Sequence, residues 1–382
     1  MSEDDRPEPD RVEGAPHPRD TSRLIGQDAV EAGFLEAYNA GRLHHGWLIT
    51  GPRGVGKATL AWRIARFLLA TPPDQGDGLF GEALPDPDTL DIAADHPVVR
   101  RMHAHSEPGL HLLRRGGAGS TDSDRQKNLL EGKFSKEIRV DEVRELARFV
   151  HLSAVDAGRR VVIVDSADEL NVNAANALLK MLEEPPARTT LLLISHQPAR
   201  LLPTIRSRCR ELRMAPLGAE DMTAALSQAG VDTGAASEAL AELSAGSVGE
   251  AVRLINLDGL TLYKELIAIL ASLPQLDRPR ALKLADAVAA RGAEERLDLL
   301  LHLTDVALSR LARTGATGQP PAANAAPNES DTLSRLASNP EKGREWAICA
   351  QEIGARMRHG RSVNLDPAAL VLDMVFRLQQ TA

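Results

Sequence analysis

The fold of this 382-residue sequence is decided by the stretch Gly51-Pro52-Arg53-Gly54-Val55-Gly56-Lys57. The stretch matches the first seven positions of the P-loop pattern, in which glycines let backbone N–H groups cradle phosphates and the lysine reaches the β- and γ-phosphates. Residues 47–50 before it are typical of a short buried strand, and residues 58–70 after it indicate a helix. Because a phosphate loop requires this context, the stretch predicts a P-loop domain with Gly51, Gly54, Gly56 and Lys57 as nucleotide-binding residues.

The position after the loop departs from the pattern. A P-loop normally continues with Ser or Thr, whose hydroxyl binds Mg²⁺, whereas this sequence has Ala58. Thr59 comes one residue late, about 100° further around the helix, so it is a poor substitute. The sequence leaves open whether ATP, ADP or no nucleotide occupies this degenerate loop.

A second acidic motif lies further along the chain. Residues 161–164 form a continuous run of Val and Ile that ends in Asp165, the form of a Walker B strand whose carboxylate supports Mg²⁺. The next residue is Ser166. A serine hydroxyl does not act as a carboxylate base near neutral pH, so the site is predicted to hydrolyse ATP poorly.

The wider pattern predicts an α/β domain with a parallel sheet, because buried strands at 47–50, 161–164 and 191–195 alternate with helices. After Pro216 the pattern is almost purely helical. Residues 1–20 are rich in Pro and charge and are predicted to be a disordered tail. Residues 71–135 are predicted to be an irregular insertion, and residues 315–330 a low-complexity linker or loop.

Charge and composition restrict the function classes. The net charge of -8 is unlike that of an autonomous DNA-binding protein, so DNA contact is expected only from a local basic patch or from partner subunits. The two cysteines are far apart in sequence and indicate neither a disulfide framework nor a zinc cluster. No apolar run suggests a membrane segment, and a cytoplasmic protein is expected.

Two further motifs resemble one family. The segments NALLKMLEEPP at 176–186 and TIRSRC at 204–209 resemble those of bacterial DNA polymerase III clamp-loader subunits, which are AAA+ P-loop proteins. The resemblance covers roughly residues 21–255. It implies that Arg208 is an arginine finger inserted into a neighbouring subunit's ATP site, and that Ser195 occupies the sensor-1 position.

Within that family the sequence resembles the delta-prime type. Ala58, Ser166 and Gly249 stand where the hydrolysing gamma/tau motors keep three catalytic residues, whereas the finger Arg208 is retained. The resemblance implies a stator without ATPase activity of its own. Its expected partners are gamma/tau and delta subunits and, through the complex, the sliding clamp and primed DNA. A gamma/tau-like motor, a small-molecule P-loop kinase and an adaptor that does not use Arg208 are the alternatives.

The family resemblance also divides the chain. It implies an AAA+ core over 21–214, a helical lid over 215–255 and a helical collar over 256–382. Many members carry a four-cysteine zinc module after the P-loop helix, but the corresponding region here has no cysteine and contains only His96, His103, His105 and His111. Histidines alone in a loop are more often exposed than bound to metal, so no zinc is expected.

Overall fold

A five-stranded parallel sheet organises the N-terminal part of the chain. Its strands are β1 (Gly46–Thr50), β2 (Leu110–Arg114), β3 (Arg160–Asp165), β4 (Thr189–Ser195) and β5 (Arg210–Arg213). Their spatial order is β2-β3-β4-β1-β5, and each neighbouring pair is parallel. The carboxyl ends of all five strands therefore lie at one edge of the sheet, and the amino ends at the other.

The structure, a computed structural model, describes residues 7–9, 11–71, 86–151, 158–290 and 292–382. The chain separates into two units, Met1–Asp221 and Met222–Ala382. Within the described ranges, no helix combines the length and apolar character needed to cross a membrane.

Helices cover both faces of the sheet in the first unit. They are α1 (Asp28–Asn39), α2 (Lys57–Ala70), α3 (Pro97–His103), α4 (Asp122–Leu130), α5 (Val140–His151), α6 (Val172–Glu183), α7 (Pro203–Arg206) and α8 (Ala219–Gln228), the last of which continues into the second unit. One apolar core lies between the sheet and α1–α3, and another between the sheet and α5–α7. Burial on both faces explains why the central strands are continuous apolar runs. The predicted α/β class with a parallel sheet is confirmed.

The second unit is entirely helical in its described residues, as predicted. Its helices are α9 (Ser237–Ser244), α10 (Val248–Asn256), α11 (Gly259–Ser272), α12 (Arg278–Ala289), α13 (Glu294–Thr317), α14 (Glu329–Leu336), α15 (Pro340–Ser362) and α16 (Pro367–Thr381). A single apolar core joins Leu240 and Leu254 of the predicted lid to Leu300 and Val371 of the predicted collar. The division at 255/256 therefore stays a prediction.

The described part of the N-terminal segment is ordered, in contrast to the disordered tail predicted for 1–20. The Glu8 carboxylate, only 5% exposed, lies 2.8 Å from Nε2 of His17 and 2.9 Å from Arg114. The ring of His17 packs edge-on against Trp62, and the carbonyl of Arg19 accepts a hydrogen bond from Arg66. These contacts offset the conformational entropy that the segment loses on folding. Composition alone does not predict them, because they involve residues distant in sequence.

The predicted irregular insertion at 71–135 is also more regular than expected. Residues 72–85 lie outside the described residues, and the remainder contains α3, β2 and α4. Strand β2 forms the edge of the sheet, paired with β3. The sequence does not predict this strand, because the polar His111 interrupts a short apolar run. In the fold, the ring of His111 stacks on Phe149 with 5.1 Å between ring centroids.

Candidate functional site

The carboxyl edge of the sheet brings together three candidate residues that are far apart in sequence. Strand β4 lies between β1 and β3, and Ser195 is directly paired with Thr50, the residue before the P-loop. Asp165 ends β3 on the other side of β4. The P-loop, Asp165 and Ser195 therefore lie along one edge of the sheet, the edge at which open parallel sheets bind ligands.

The P-loop adopts backbone conformations that require glycine. Gly51 has φ 146°, and a Cβ there would lie 2.7 Å from the carbonyl oxygen of Met214. Gly56 has φ 95° and is the N-cap of α2. Gly54 is also left-handed, with φ 71°. The loop thus presents backbone N–H groups at a helix N-terminus, an arrangement that binds anions.

Lys57 turns back into this loop. Its side chain is 3% exposed, and Nζ donates hydrogen bonds to the carbonyl of Gly51, at 2.7 Å, and to that of Pro52. Burial lowers the pKa of Lys57 to about 8, although the negative charges of Asp165 and Asp168 act in the opposite direction. The ammonium occupies the position from which a lysine would reach a polyphosphate.

The groups around the magnesium position do not complete a hydrolytic site. Ala58 has no oxygen, and Thr59 lies half-buried in the first turn of α2. Ser166 is fully buried, and its Oγ lies 2.9 Å from Nε2 of His196 and donates to Oδ1 of Asp165 at 3.3 Å. Neither Ala58 nor Ser166 therefore supplies the magnesium hydroxyl or the carboxylate that these two positions normally carry.

Ser195 carries an unsatisfied group. Its Oγ is fully buried and has no hydrogen-bond partner among the described residues. Buried hydroxyls are normally paired, so an orphaned one at this edge of the sheet is compatible with a contact to a bound molecule. This is consistent with the sensor-1 position but does not test it.

Sequence reasoning missed the role of His196. Its backbone N–H donates to Oδ1 of Asp168 at 3.0 Å, while its ring contacts Ser166. Asp168 lies in a short 3₁₀ turn, and its carboxylate binds the main chain just after β4. A signal was available, because His196 directly follows a buried strand at the same edge as Asp165.

Arg208 lies at the opposite edge of the sheet. It precedes the amino end of β5, and its main-chain carbonyl approaches Gly46 at the amino end of β1. Its guanidinium is 2.9 Å from Oε1 of Glu183 and donates to the carbonyl of Thr204 at 3.1 Å. The Arg208 side chain remains 37% exposed. The structure therefore separates the finger candidate from the other candidate residues by the length of a strand.

The four histidines of the insertion have other contacts. His96 caps α3, His103 pairs with Asp20, Nδ1 of His105 is 3.1 Å from the Arg19 guanidinium, and His111 stacks on Phe149. Among the residues that the structure describes, no group of three or more His, Cys, Asp or Glu side chains is arranged to hold a metal ion. The expectation of no zinc stays a prediction.

The family assignment follows from a comparison with known proteins. A family model described as "DNA polymerase III, delta subunit" matches residues 26–218, about half of the chain. The chain belongs to this family. That assignment confirms the resemblance found in the two motifs and places the P-loop, Asp165 and Arg208 inside the matched region.

Curated relatives of this delta-subunit family member agree. The DNA polymerase III subunit delta' of Pseudomonas aeruginosa is 39% identical over 215 residues, which cover 56% of each chain. The DNA polymerase III subunit delta' of Escherichia coli is 34% identical over 245 residues, which cover 64% of each chain. The matches thus span less than two thirds of these relatives' lengths.

Solved structures add little. The crystal structure of a DNA polymerase III gamma subunit-related protein from Thermotoga maritima aligns with 91% of this chain and 99% of its own. It is 17% identical, with a TM-score of 0.40. That similarity is too low to bear on fold or function.

Proposed function

We propose that this chain works as a delta-prime subunit of a bacterial DNA polymerase III clamp loader. In this role it helps to load the sliding clamp onto primed DNA and supplies Arg208 to the ATP site of a neighbouring subunit. Its direct partners are the gamma/tau and delta subunits, and it reaches the clamp and the DNA through the complex. It acts in the cytoplasm, with the replication machinery.

The position of Arg208 carries the proposal. Arg208 lies at the amino edge of the sheet, whereas its own P-loop lies at the carboxyl edge, with β1 between them. Roughly 13 Å of strand separates Gly46 from Thr50. A half-exposed guanidinium this far from its own phosphate loop is suited to serve another subunit.

The ion pair with Glu183 does not oppose that role. Both side chains are more than a third exposed, and exposed ion pairs contribute only about 0–1 kcal/mol. A guanidinium has five N–H donors, so Arg208 can bind a partner's phosphate while one N–H keeps its contact with Glu183. A finger in that position stabilises the charge that develops on the transferred phosphoryl group, a contribution of about 10³–10⁵ in rate.

The chain's own P-loop is proposed to hold ATP or ADP without turning it over. The loop N–H groups and Lys57 would bind the phosphates, and Ser195 Oγ is a further candidate contact. Ala58 offers no magnesium hydroxyl, and Ser166 already binds His196. Bound nucleotide would therefore have a structural role.

The decisive test is Arg208→Ala in the reconstituted clamp loader. The clamp- and DNA-stimulated ATPase should fall because the site served by Arg208 loses its finger. Arg208→Lys should recover little, since the ammonium lacks the planar fork of the guanidinium. Arg206→Ala, on the same exposed turn, is the matched control and should act like wild type. An unchanged stimulated rate for Arg208→Ala in an intact assembly would reject the finger.

The gamma/tau-like alternative has its own test. The isolated chain should hydrolyse ATP at the background rate because its site lacks a base and a magnesium hydroxyl. Rapid hydrolysis by the purified chain would favour the motor and contradict the stator.

A further inference from the structure

Two residues at the start of β1 contact the elements that carry Arg208 and its carboxylate partner. Nε2 of His45 lies 3.0 Å from the carbonyl oxygen of Leu182. Because a carbonyl only accepts, the imidazole donates this hydrogen bond. Leu182 immediately precedes Glu183, which ends α6 and pairs with Arg208. The main chain of His45 is itself fixed, since its carbonyl accepts from Leu191 N–H at 2.7 Å.

Gly46 completes the contact with the finger segment. A Cβ at Gly46 would lie 2.9 Å from Cδ2 of Leu182, 3.2 Å from the carbonyl oxygen of Arg208 and 3.3 Å from Sγ of Cys209. A glycine at this position therefore allows the main chain of Arg208 to approach β1 closely. Gly46 thus contacts both the end of α6 and the finger segment, and the adjacent His45 bonds to the end of α6.

The His45 ring is held in one orientation. It stacks on His44, with 4.3 Å between ring centroids and 27° between the planes. Nδ1 of His44 is 2.8 Å from the carbonyl oxygen of Gly46. Burial, and then the neighbouring His44, lower the pKa of His45, so the ring is neutral near pH 7. Its Nε2 proton is donated to the carbonyl oxygen of Leu182.

We propose that His45 is a positioning residue for the arginine finger, holding the last turn of α6 and thereby the Glu183–Arg208 pair. This inference rests on the proposed function. The exposed Glu183–Arg208 pair is too weak to locate a guanidinium alone. Transition-state contacts, however, tolerate only about 0.5 Å of displacement. The partly buried hydrogen bond from the His45 ring to Leu182 and the close main-chain approach of Arg208 to Gly46 supply the missing constraint.

The experiment uses the reconstituted loader with His45→Gln, His45→Asn and His45→Leu. Glutamine places an amide N–H near the position of Nε2, whereas asparagine is too short and leucine cannot donate. His45→Asn and His45→Leu should lower kcat for stimulated ATP hydrolysis by roughly threefold to thirtyfold, below the ~100-fold that a 1 Å misplacement can cost. The KM for ATP should stay within about twofold, and His45→Gln should recover most of the rate.

A double-mutant cycle with Arg208→Ala separates positioning from general damage. If His45 acts through the finger, His45→Leu should cause no further loss once Arg208 is removed. Additive losses would overturn the inference, as would a His45→Gln variant no better than His45→Asn. Failure of all three variants to assemble would assign His45 a folding role and would also overturn it.

If Arg208→Ala itself has no effect, the proposed function fails; if Arg208→Ala is impaired and His45→Leu is not, only the inference fails.

Discussion

At the scale of the single residue, the burial of the Lys57 ammonium is expected to cost stability. The ammonium is buried and satisfied only by loop carbonyls, and burial lowers its pKa from 10.5 to about 8. A depressed lysine pKa means that folding disfavours the charged form. Lys57 is therefore expected to destabilise the folded chain, and strained or costly ionisable groups of this kind are often found at functional sites.

This predicts a pH-dependent gain in stability for Lys57→Met. Below pH 8 the lysine is protonated in both the folded and the unfolded chain, so the full free-energy cost of burying its charge is present. The variant should then be more stable than the wild type by about 1–3 kcal/mol. Between pH 8 and 10.5 the unfolded chain binds more protons, so wild-type stability rises and the difference should shrink. Urea denaturation at pH 7 and pH 10, without nucleotide, measures this. Lys180→Met, at an exposed position, is the control; a gain that does not vary with pH would contradict the assignment.

At the scale of elements, a buried carboxylate organises the connection between α13 and α14. The sequence predicts a low-complexity linker or loop at 315–330, and residues 318–328 are indeed outside helices. Glu329 is fully buried and accepts from the Tyr263 hydroxyl at 2.5 Å and from Arg310 at 2.7 Å. It also accepts from the N–H groups of Ala325, at 2.7 Å, and Ala326. The connection is thus anchored to α11 and α13.

Glu329→Gln should therefore destabilise the helical unit strongly. The amide removes the buried counter-charge of Arg310, which is only 10% exposed and keeps the exposed Glu242 as its other partner, so the loss should lie near the lower end of the about 3–5 kcal/mol that breaking a buried pair costs. Tyr263→Phe removes one hydrogen bond from the same carboxylate and should cost about 1 kcal/mol. Far-UV circular dichroism during chemical denaturation measures both. Equal losses for the two variants would show that the charge pair is not the main contribution.

At the scale of the whole molecule, the two units have separate apolar cores. The second unit has a core of its own that includes Leu300 and Trp346, both fully buried. A unit with its own core can in principle fold alone. The same division separates the phosphate loop and Arg208, both in Met1–Asp221, from the predicted collar.

A fragment of residues 217–382, which keeps α8 whole, should therefore unfold cooperatively on heating. Its far-UV circular dichroism should show a single sigmoidal transition. Leu300→Asp, which buries a charge in that core, should abolish the transition in the same fragment and serves as the control. Gradual melting of the unmodified fragment would mean that this core depends on the first unit.

Features with a local pattern could be predicted from the sequence. The glycine loop with Lys57, the strands predicted at 47–50, 161–164 and 191–195, and the helix predicted at 58–70 are encoded in neighbouring residues, and each was placed within two positions. The two motifs around 176–186 and 204–209 were enough to identify the family. The sequence also shows directly that position 58 has no side-chain hydroxyl and that position 166 has no carboxylate.

Which of these residues lie together depends on the three-dimensional arrangement of the strands and helices. Strand order places Ser195 beside the P-loop and puts Arg208 at the other edge. The contacts of His196 with Ser166, of His45 with Leu182 and of Glu8 with Arg114 join residues 30 to 137 positions apart. No periodicity in the sequence records such pairs, because they depend on how strands and helices pack and on the burial that makes each polar group require a partner.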